Sequence, residues 1–412
     1  MDTSIINYLS SPEGVEWIQR NSAEDPSALR LKYASSFSSS PWLPAAIMQI
    51  ECRARAAKKI PEEVAAPRFL FPSLLSSEQA TSDSLADFHA SLIQEGSGVL
   101  DLTCGLGIDT FHIARRATSL TSVEREPSYA RVAEHNAAVL GLSDRVSIIN
   151  SDCIDYIASA SLRPDVIFVD PARRDSSGGR VYGLSDCSPD IVPLLPRLAQ
   201  ISPRLIVKAS PMLDISSLAS ELPGVTDIYV TGTSTECKEL IADVSLARYS
   251  DSVEIASTSP TYGIHAIVPG LLRFTFTPQQ EAAAVPVIGR PKVGEILYEP
   301  HPVVMKAGPF RLLSQRWKVA KIGGNSHLYF SSEIREGFPG SAFRILEVLP
   351  YASGEIKRLA RRYPVINVAT RNFDVPTDAL RRKLRVRDGG NLRLMATTLP
   401  DSSRIMIILS PL

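Results

Sequence analysis

Residues 99–109 read VLDLTCGLGID, and this stretch decides the fold that we predict. An apolar strand ends at Asp101, a turn with Gly105 and Gly107 follows it, and a helix begins near Asp109. Glycines allow a tight turn and a close approach between the backbone and a ligand. The first turn of the following helix offers unpaired N–H groups to an anionic group. The stretch therefore predicts a ligand-binding turn between a strand and a helix.

The spacing of this turn departs from the G-x-G-x-x-G pattern of dinucleotide-binding proteins. Thr110 stands where the third glycine would be, and the strand brings Asp101 to the turn. A carboxylate at that place attracts a cationic amino group, whereas it would repel a pyrophosphate. Because S-adenosylmethionine carries such an amino group on its methionyl part, the sequence favours this cofactor over a dinucleotide.

Outward from the turn, short apolar strands alternate with helices. The strands read LTSVE, VSIIN, DVIFVD and RLIVKA, and amphipathic stretches such as YARVAEHNAAVLGL lie between them. This alternation predicts an α/β fold with a parallel sheet covered by helices on both faces. Two more strands, near VTDIYVTG and ELIADVSLAR, follow each other without a helix, so we expect one antiparallel strand in the sheet.

Acidic residues stand at the ends of successive strands. Glu124 ends the second strand, where a carboxylate can accept both hydroxyls of a ribose. Asp152, followed by Cys153, comes after the third strand, where an acid can accept from an adenine amino group, and Asp170 closes the strand DVIFVD. Because ligands bind at the carboxyl ends of strands in open α/β sheets, we expect these residues and Asp101 to line one cofactor site.

These motifs resemble those of a known family. VLDLTCGLGIDTFHIA, SVEREP, DRVSIINSDC and DVIFVDPARR are similar to consecutive motifs of class I methyltransferases, especially of the trimethylguanosine synthase type that acts on RNA caps. The resemblance covers about residues 78–248 and implies a Rossmann-like methyltransferase sheet that binds S-adenosylmethionine. It also implies that Gln79 and Thr81 of EQATSDSLADF lie near the cofactor or the target group. The expected cofactor-binding set is Thr81, Asp101, Thr103, Gly105, Gly107, Asp109, Glu124, Asp152, Cys153 and Asp170.

The segment DPAR at residues 170–173 is the candidate catalytic motif. It resembles the Asp/Asn-Pro-Pro-aromatic motif of N-methyltransferases, in which a carboxylate or amide and a backbone carbonyl hold the target amine. The second proline and the aromatic are absent here, and a guanidinium of Arg173 or Arg174 can partly replace the aromatic by stacking on a base. We expect Asp170 to orient the acceptor or to take its proton. The predicted catalytic residues are Asp170, Pro171 and Arg173.

The same segment also resembles the motif of uridine C5-methyltransferases. That reaction needs a cysteine nucleophile on the next strand, and RLIVKASPML has Ser210 near that place. A serine is a much weaker nucleophile at neutral pH, so the sequence disfavours this reaction. On the same strand, Lys208 is expected to be an ion-pair partner rather than a ligand of the acceptor.

The chain of 412 residues is long enough for two to four domains. We expect a helical region over residues 1–95 and the methyltransferase domain over residues 96–250. A small ferredoxin-like α+β domain over 251–325 and a basic α+β domain over 326–412 would follow. TRNFDVP, LRRKLRVRDGG and LRLMATTL in the last region resemble the THUMP-like domain that is fused to bacterial methyltransferases.

The net charge is zero, but the basic and acidic residues are unevenly distributed along the chain. Residues 301–412 carry 19 Lys and Arg against 8 Asp and Glu, whereas residues 1–300 carry 25 against 36. The cations gather in the predicted helices KRLARR and RRKLRVR, within residues 355–393, where they can contact a phosphate backbone. The sequence therefore predicts RNA as the substrate. Two alternatives stay open: a methyltransferase of a protein or small molecule that uses the basic domain for assembly, and a cofactor-binding protein without catalysis.

The remaining composition is typical of a cytoplasmic protein. The N-terminus MDTSIINYLS lacks the features of a signal peptide, and no apolar run approaches the roughly 20 residues that cross a bilayer. The five cysteines are scattered without a C-x-x-C pair, as in proteins with reduced thiols. His89, His112 and His135 lack ligand spacing, so we expect neither a metal site nor a membrane partner.

Overall fold

The computed structural model describes residues 1–159, 161–173, 183–247, 249 and 261–412, and of Arg173 it describes only the backbone. The chain forms two compact units. Unit 1 comprises Met1–Asp227 and Glu239–Pro260, and unit 2 comprises Ile228–Lys238 and Thr261–Leu412.

The N-terminal region is helical, as the apolar spacing predicts. Its helices are α1 (Thr3–Leu9), α2 (Pro12–Arg20), α3 (Pro26–Lys32), α4 (Leu43–Ala56), α5 (Pro61–Ala65), α6 (Leu74–Gln79) and α7 (Asp83–Ser91). The first three are preceded by Asp2, Ser11 and Asp25, whose side chains accept backbone N–H groups that a helix start leaves unpaired. Apolar side chains of α1 to α4 share one buried cluster with Val132, which belongs to a later helix.

A mainly parallel sheet follows in unit 1. The strands of residues 98–245 are β1 (Gly98–Asp101), β2 (Ser119–Glu124), β3 (Val146–Asn150), β4 (Val166–Val169), β5 (Ala172–Arg173), β6 (Cys187–Ser188), β7 (Arg204–Ala209), β8 (Val225–Gly232) and β9 (Cys237–Ser245). β7, β4, β1, β2 and β3 lie side by side in this order and pair in parallel. β9 pairs with β7 in the antiparallel direction, with Ser245 opposite Arg204. This sheet confirms the predicted α/β fold class, including the antiparallel strand in ELIADVSLAR.

Helices connect these strands. They are α8 (Ile108–Ala114), α9 (Pro127–Val139), α10 (Cys153–Ser159), α11 (Leu195–Ile201) and α12 (Ile215–Glu221). The central strand β4 reads Val-Ile-Phe-Val and is buried over its whole length, as is typical of a parallel strand between two helical layers. Because the parallel strands run in one direction, their carboxyl ends lie at one edge of the sheet.

Unit 2 is built on antiparallel and mixed pairing. Its later strands are β10 (Gly263–Val268), β11 (Leu272–Phe276), β12 (Val287–Ile288), β13 (Ile296–Pro300), β14 (Ala320–Lys321), β15 (Tyr329–Ser331), β16 (Gly340–Pro350), β17 (Asn367–Arg371), β18 (Arg393–Thr398) and β19 (Arg404–Pro411). Its helices are α13 (Pro278–Ala283), α14 (Pro302–Ala307), α15 (Phe310–Trp317), α16 (Ser353–Arg362) and α17 (Thr377–Leu384). β10 and β11 form a hairpin, and β12 to β19 form one sheet in the order β12-β14-β15-β13-β16-β19-β18-β17.

This second sheet runs across a predicted domain boundary. β14 and β15 lie on either side of residue 325, and they pair with each other through Ala320 and Phe330. Pairing between strands of both predicted C-terminal domains cannot be read from local composition. The division of the chain into four domains stays a proposal.

Both faces of the second sheet are buried around β19. Ile407 belongs to one apolar cluster, whereas its neighbours Met406 and Ile408 belong to another, because successive side chains of a strand point to opposite faces. The second cluster includes Leu359 of α16 and Leu384 of α17. These two basic helices therefore pack with their apolar sides and keep their charged sides at the surface. None of the helices in the described part of the chain combines the length and the apolar character that a bilayer crossing requires.

Candidate cofactor and acceptor site

The carboxyl edge of the parallel sheet carries the acidic residues that the sequence singles out. Asp101 and Glu124 end β1 and β2, and Asp152 and Asp170 follow β3 and β4. All four lie in unit 1. The parallel pairing of neighbouring strands brings them to the same side of the sheet, where open α/β sheets bind ligands.

Two glycines with a left-handed backbone form the turn after β1. Gly107 has a φ of 93°, and a Cβ there would lie 2.5 Å from the ring of Phe111, so this position requires glycine. Gly105 has a φ of 57°, and a Cβ there would meet nothing within 4 Å. The turn is thus tight on its inner side at Gly107 and open at Gly105, where a ligand can approach the backbone.

Glu124 ties this turn to the end of β2. Its Oε2 accepts the backbone N–H of Gly105 at 2.8 Å, and its Oε1 accepts that of Glu126 at 2.8 Å. Each carboxylate oxygen has a second lone pair. Glu124 therefore fixes the turn and keeps acceptor capacity for hydroxyl groups at the sheet edge.

Asp101 lies beneath the turn, and only 1% of its surface is exposed. Its carboxylate accepts hydrogen bonds from the Thr103 backbone N–H at 2.9 Å, the Thr110 hydroxyl at 2.6 Å and the Ser122 hydroxyl at 2.7 Å. Burial raises the pKa of Asp101 to about 6, against the opposing effect of these donors. The carboxylate holds the turn together, and its contact with a cofactor amino group stays a prediction.

Asp152 and Cys153 lie at the start of α10. Asp152 is exposed, and its Oδ1 accepts the backbone N–H of Ile154 at 2.8 Å. The neighbouring Cys153 is buried, and burial raises the pKa of its thiol to about 11, so the thiol is neutral at physiological pH. Their predicted contacts with an adenine ring stay a proposal.

Lys208, at the end of β7, joins three of the predicted site residues. Its buried Nζ lies 2.8 Å from Asp170 Oδ2, 2.9 Å from Asp109 Oδ2 and 3.0 Å from Thr81 Oγ1. The Thr81 hydroxyl in turn donates to Asp109 Oδ2 at 2.7 Å. Lys208 is therefore an ion-pair partner, as expected from the sequence.

His89 and Glu239 complete this group of charges behind Asp109. The fully buried imidazole of His89 has Nδ1 at 2.7 Å from Asp109 Oδ1 and Nε2 at 2.7 Å from Glu239 Oε1. Glu239 Oε2 lies 3.8 Å from Lys208 Nζ. We name His89, Asp109, Asp170, Lys208 and Glu239 the site charge network.

The pKa values of the network follow from competition between burial and neighbouring charges. Burial acts to lower the pKa of His89, but Glu239 and Asp109 outweigh it and raise the pKa to about 9. Burial acts to raise the pKa of Asp109, but Lys208 and His89 hold it well below its usual range. In the same way, His89 and Lys208 overcome burial and lower the pKa of Glu239 to about 2. At pH 7 the imidazolium of His89 therefore lies between the carboxylates of Asp109 and Glu239.

Asp170 is the member of the network that reaches solvent. Its side chain is 48% exposed, and its backbone N–H donates to Thr103 Oγ1 at 2.7 Å. Pro171 is partly buried, and the backbone of Arg173 pairs with Cys187 between β5 and β6. The side chain of Arg173 and the whole of Arg174 lie outside the described residues, so their predicted stacking on a base stays a prediction.

The structure thus unites Thr81, Asp109 and Asp170 through Lys208, and it joins Thr103 to Asp170. His89 and Glu239 are not among the site residues that the sequence predicts. They lie 150 positions apart in the chain, and neither stands at a motif spacing, so no signal in the sequence pairs them.

Three family descriptions match separate parts of the chain. Residues 96–184 match the description RNA cap guanine-N2 methyltransferase, residues 297–339 match a ferredoxin-like domain, and residues 340–411 match a THUMP-like domain. The first match covers β1 to β4 and the DPAR segment. The fold and the site therefore define a protein of the class I methyltransferase type with a THUMP-like C-terminal part.

A presumed methyltransferase of Porphyromonas gingivalis W83 is similar over the full length. The two chains are 30% identical, the alignment covers 100% of this chain and 99% of that one, and the TM-score is 0.85. The chain belongs to the same methyltransferase family as this protein. The class predicted from the sequence is thereby confirmed, whereas the trimethylguanosine synthase type is a finer assignment that this relationship does not test.

Other relatives are similar over shorter regions. An uncharacterized S-adenosylmethionine-dependent methyltransferase of Mycobacterium tuberculosis is 29% identical over 43% of this chain and 47% of its own length. The ribosomal RNA large subunit methyltransferase K/L of Pseudomonas paraeruginosa is 33% identical over 26% of this chain and 15% of its own length. The chain thus spans less than half the length of these curated relatives.

Proposed function

We propose that the protein transfers a methyl group from S-adenosylmethionine to RNA. The observation that carries this proposal is the carboxyl edge of the sheet, where the open turn at Gly105 lies next to Glu124 and near the half-exposed Asp170. Bound S-adenosylmethionine supplies an electrophilic methyl group on a sulfonium. Transfer then depends mainly on holding the acceptor in line with that methyl group.

The cofactor would lie over the turn after β1. A ligand can approach the Gly105 backbone closely, since a Cβ there projects into open space. Glu124 would accept from the ribose, and Asp152 with Cys153 would contact the adenine. The methionyl part would lie toward the remaining members of the predicted set, which are Thr81, Asp101, Thr103, Gly107 and Asp109.

Asp170 would orient the acceptor. Lys208 fixes one of its oxygens at 2.8 Å, and the Thr103 hydroxyl fixes its backbone N–H, so the second carboxylate oxygen has a defined direction. Such an oxygen can accept a hydrogen bond from an amino group, orient the nitrogen lone pair toward the methyl group and take the proton that the methylated nitrogen loses. Residues 96–184 match the family description RNA cap guanine-N2 methyltransferase. This match and the DPAR motif support an amino group on a base as the acceptor, as in the trimethylguanosine synthase type. Pro171 and Arg173 would border it.

The basic surface of unit 2 supports RNA as the substrate. Lys357 and Arg361 of α16 and Arg382 of α17 are exposed, and phosphate contacts from such residues give affinity without reading sequence. The ribosomal RNA methyltransferases among the relatives support the same class of substrate.

One observation favours the alternative, a protein or small-molecule substrate with the basic surface used for assembly. Several of the cations are paired with acids of their own unit, as Arg362 is with Glu347 and Arg381 with Asp378. Paired cations offer less charge to a phosphate backbone. Measured RNA binding therefore distinguishes the two classes of substrate.

The cofactor half of the proposal is tested by calorimetric titration with S-adenosylhomocysteine. We expect Gly105→Val to abolish binding, because its side chain would occupy the open space at the turn. Gly96→Val is the matched control, since Gly96 also has a positive φ of 85° and open surroundings but precedes β1. Equal affinity for S-adenosylhomocysteine in both variants and the wild type would refute the proposed cofactor site at Gly105.

The RNA half is tested by gel-shift titration with transfer and ribosomal RNA at two salt concentrations. Reversing Arg361, Arg362, Arg382 and Lys383 to glutamate should weaken binding for all sequences and flatten the slope of log K against log salt by roughly three to four units. The control reverses four exposed cations of unit 1, which are Arg20, Lys32, Lys58 and Arg163. If the wild type does not bind RNA at low salt, the alternative of a protein or small-molecule substrate is favoured. Nucleoside mass spectrometry on RNA of a deletion strain then identifies the modified atom.

A further inference from the structure

A second group of buried charges lies in unit 1, apart from the site charge network. Helices α5, α7 and α8 bring together Glu63, Asp83 and His112, which are far apart in the sequence. The Nε2 atom of His112 lies 3.4 Å from Glu63 Oε1 and 3.7 Å from Asp83 Oδ1. Glu62 offers a further oxygen, and its ligand atom and those of Glu63 and His112 lie within 4.8 Å of one another.

The inward atoms of this group lack hydrogen bonds among the described residues. Both carboxylate oxygens of Glu63, the Oδ1 of Asp83 and the Nε2 of His112 are buried and have no hydrogen-bond partner there. Glu63 is 0% exposed and His112 is 1% exposed. Buried polar atoms are nearly always paired, so the gathering of Glu63 Oε1 and Asp83 Oδ1 around His112 Nε2 indicates a ligand that these atoms share.

The orientation of His112 is that of a metal ligand. Its Nδ1 lies 2.7 Å from Asp87 Oδ1, so Nδ1–H donates to that carboxylate. In the neutral ring this leaves Nε2 with a lone pair, which faces Glu63 and Asp83. Histidines that bind metals usually donate their other N–H to a carboxylate in this way, which fixes the ring and raises its basicity.

The charge balance also calls for a cation. Glu62, Glu63, Asp83 and Asp87 face the ring of His112, and the nearby cation is Arg115, at 2.8 Å from Glu62 Oε2 and 3.7 Å from Glu63 Oε1. Four carboxyl groups thus gather around one guanidinium and the ring of His112 in a partly buried place. A divalent ion would add positive charge among these oxygens.

We propose that Glu63, Asp83 and His112 bind a divalent transition-metal ion of the zinc type, with Glu62 as a further ligand. Zinc takes imidazole and carboxylate ligands at about 2.0–2.2 Å, and in tetrahedral sites these ligands are then about 3.3–3.5 Å apart. The separation of 3.4 Å between His112 Nε2 and Glu63 Oε1 agrees with that geometry. The histidine spacing in the sequence predicts no metal site, because it cannot show ligands that come from three separate helices.

Such an ion would link the helices on which the site charge network depends. α7 carries His89 as well as Asp83, and α8 carries Asp109 as well as His112. A metal shared by α5, α7 and α8 would fix the position of both helices. The role of the ion would therefore be structural, since none of its ligands belongs to the predicted cofactor-binding or catalytic residues.

The test uses the full-length protein without an affinity tag, freed of metal with EDTA. Titration with CoCl₂, a coloured substitute for Zn²⁺, should give visible d–d absorption that saturates at about one equivalent and disappears when ZnCl₂ is added. Glu63→Gln should abolish the absorption. Asp87→Asn should weaken binding about 10- to 100-fold, since it removes the partner of His112 Nδ1. His135→Gln is the control, because this histidine lies on α9 and contacts the Arg68 carbonyl.

Three results would overturn the proposal. The first is the lack of saturable absorption in wild-type protein that circular dichroism shows to be folded. The second is a CoCl₂ titration curve that is identical for the wild type, Glu63→Gln and Asp87→Asn. The third is binding of Mg²⁺ without binding of Zn²⁺. If Glu63→Gln fails to fold, Asp87→Asn decides, because the Asp87 side chain is 64% exposed and we expect its substitution to leave the fold intact.

Discussion

Replacing Lys208 by methionine removes the ammonium that joins the carboxylates of the site charge network while keeping most of the side-chain volume. Its Nζ is buried and lies 2.8 Å from Asp170 and 2.9 Å from Asp109. Without it, Asp109 and Glu239 share one cation of the network, His89. The carboxylate of Asp170 is half exposed, so water can solvate it after its ion pair with Lys208 is removed. We expect Lys208→Met to lower the free energy of unfolding by about 3–5 kcal/mol at pH 7.5, as when one partner of a buried ion pair is removed.

The loss should depend on pH in a defined direction. In the variant, only His89 opposes the burial of Asp109 and Glu239, so we expect burial to prevail and the pKa values of both carboxyl groups to rise above their unfolded values. A carboxyl group whose pKa is higher in the folded state than in the unfolded state contributes stability below the unfolded value of about 4, and that contribution is lost as the pH rises through the folded value. The difference between wild type and variant should therefore be smaller at pH 5 than at pH 7.5.

The assay is urea unfolding followed by tryptophan fluorescence in a Trp317→Phe background. The chain has three tryptophans, and the other two, Trp17 and Trp42, lie in unit 1, so the signal reports on that unit. Lys58→Met, at an exposed lysine of unit 1, is the control and should change stability by less than about 1 kcal/mol. A Lys208→Met variant as stable as this control at pH 7.5, or a difference that grows at pH 5, would refute the reasoning.

Three further predictions concern single residues of the site. Gly107→Ala should destabilise unit 1 by about 1–3 kcal/mol through the clash with Phe111, whereas Gly105→Ala should cost about 1 kcal/mol for its positive φ, as measured by urea unfolding. Asp170→Ala should keep affinity for S-adenosylhomocysteine within about twofold and abolish transfer of a tritiated methyl group to RNA of a deletion strain, because it removes an interaction made with the acceptor; unchanged turnover would exclude the role. The pKa of His89 is raised from 6.5 to about 9, so its contribution to stability is complete below pH 6.5 and is lost as the pH rises through 9. Wild-type protein should therefore lose more stability between pH 7 and pH 10 than His89→Gln, and parallel curves would contradict this.

Much of the fold could be predicted because its signals are local. The apolar strands and amphipathic helices of residues 98–245 each show their own periodicity, and the parallel sheet follows from their alternation. The turn at Gly105 and Gly107 and the acids that follow the strands are likewise consecutive motifs. Parallel pairing then places these acids at one edge without any knowledge of side-chain packing.

Other features of the second unit could not be read in this way. The sequence separates residues 251–325 from residues 326–412 because strands and basic helices alternate again in the last segment, yet β14 and β15 pair across that point. Strand pairing is decided by which apolar faces can be buried together, and short strands such as these carry little periodicity of their own. The sheet order of unit 2 therefore came from the structure.

The sequence by itself determined the class of this protein, since the strand, the glycine turn and the acidic strand ends each lie within a short continuous segment of the chain. The tertiary structure alone decided the electrostatics. It placed Asp101 under the turn, joined His89 to Glu239, and gathered Glu63 and His112 into a second buried group. A pKa and an ion pair depend on distance and burial, and no spacing along the chain specifies either of them for residues that meet only after the helices and the sheet have packed.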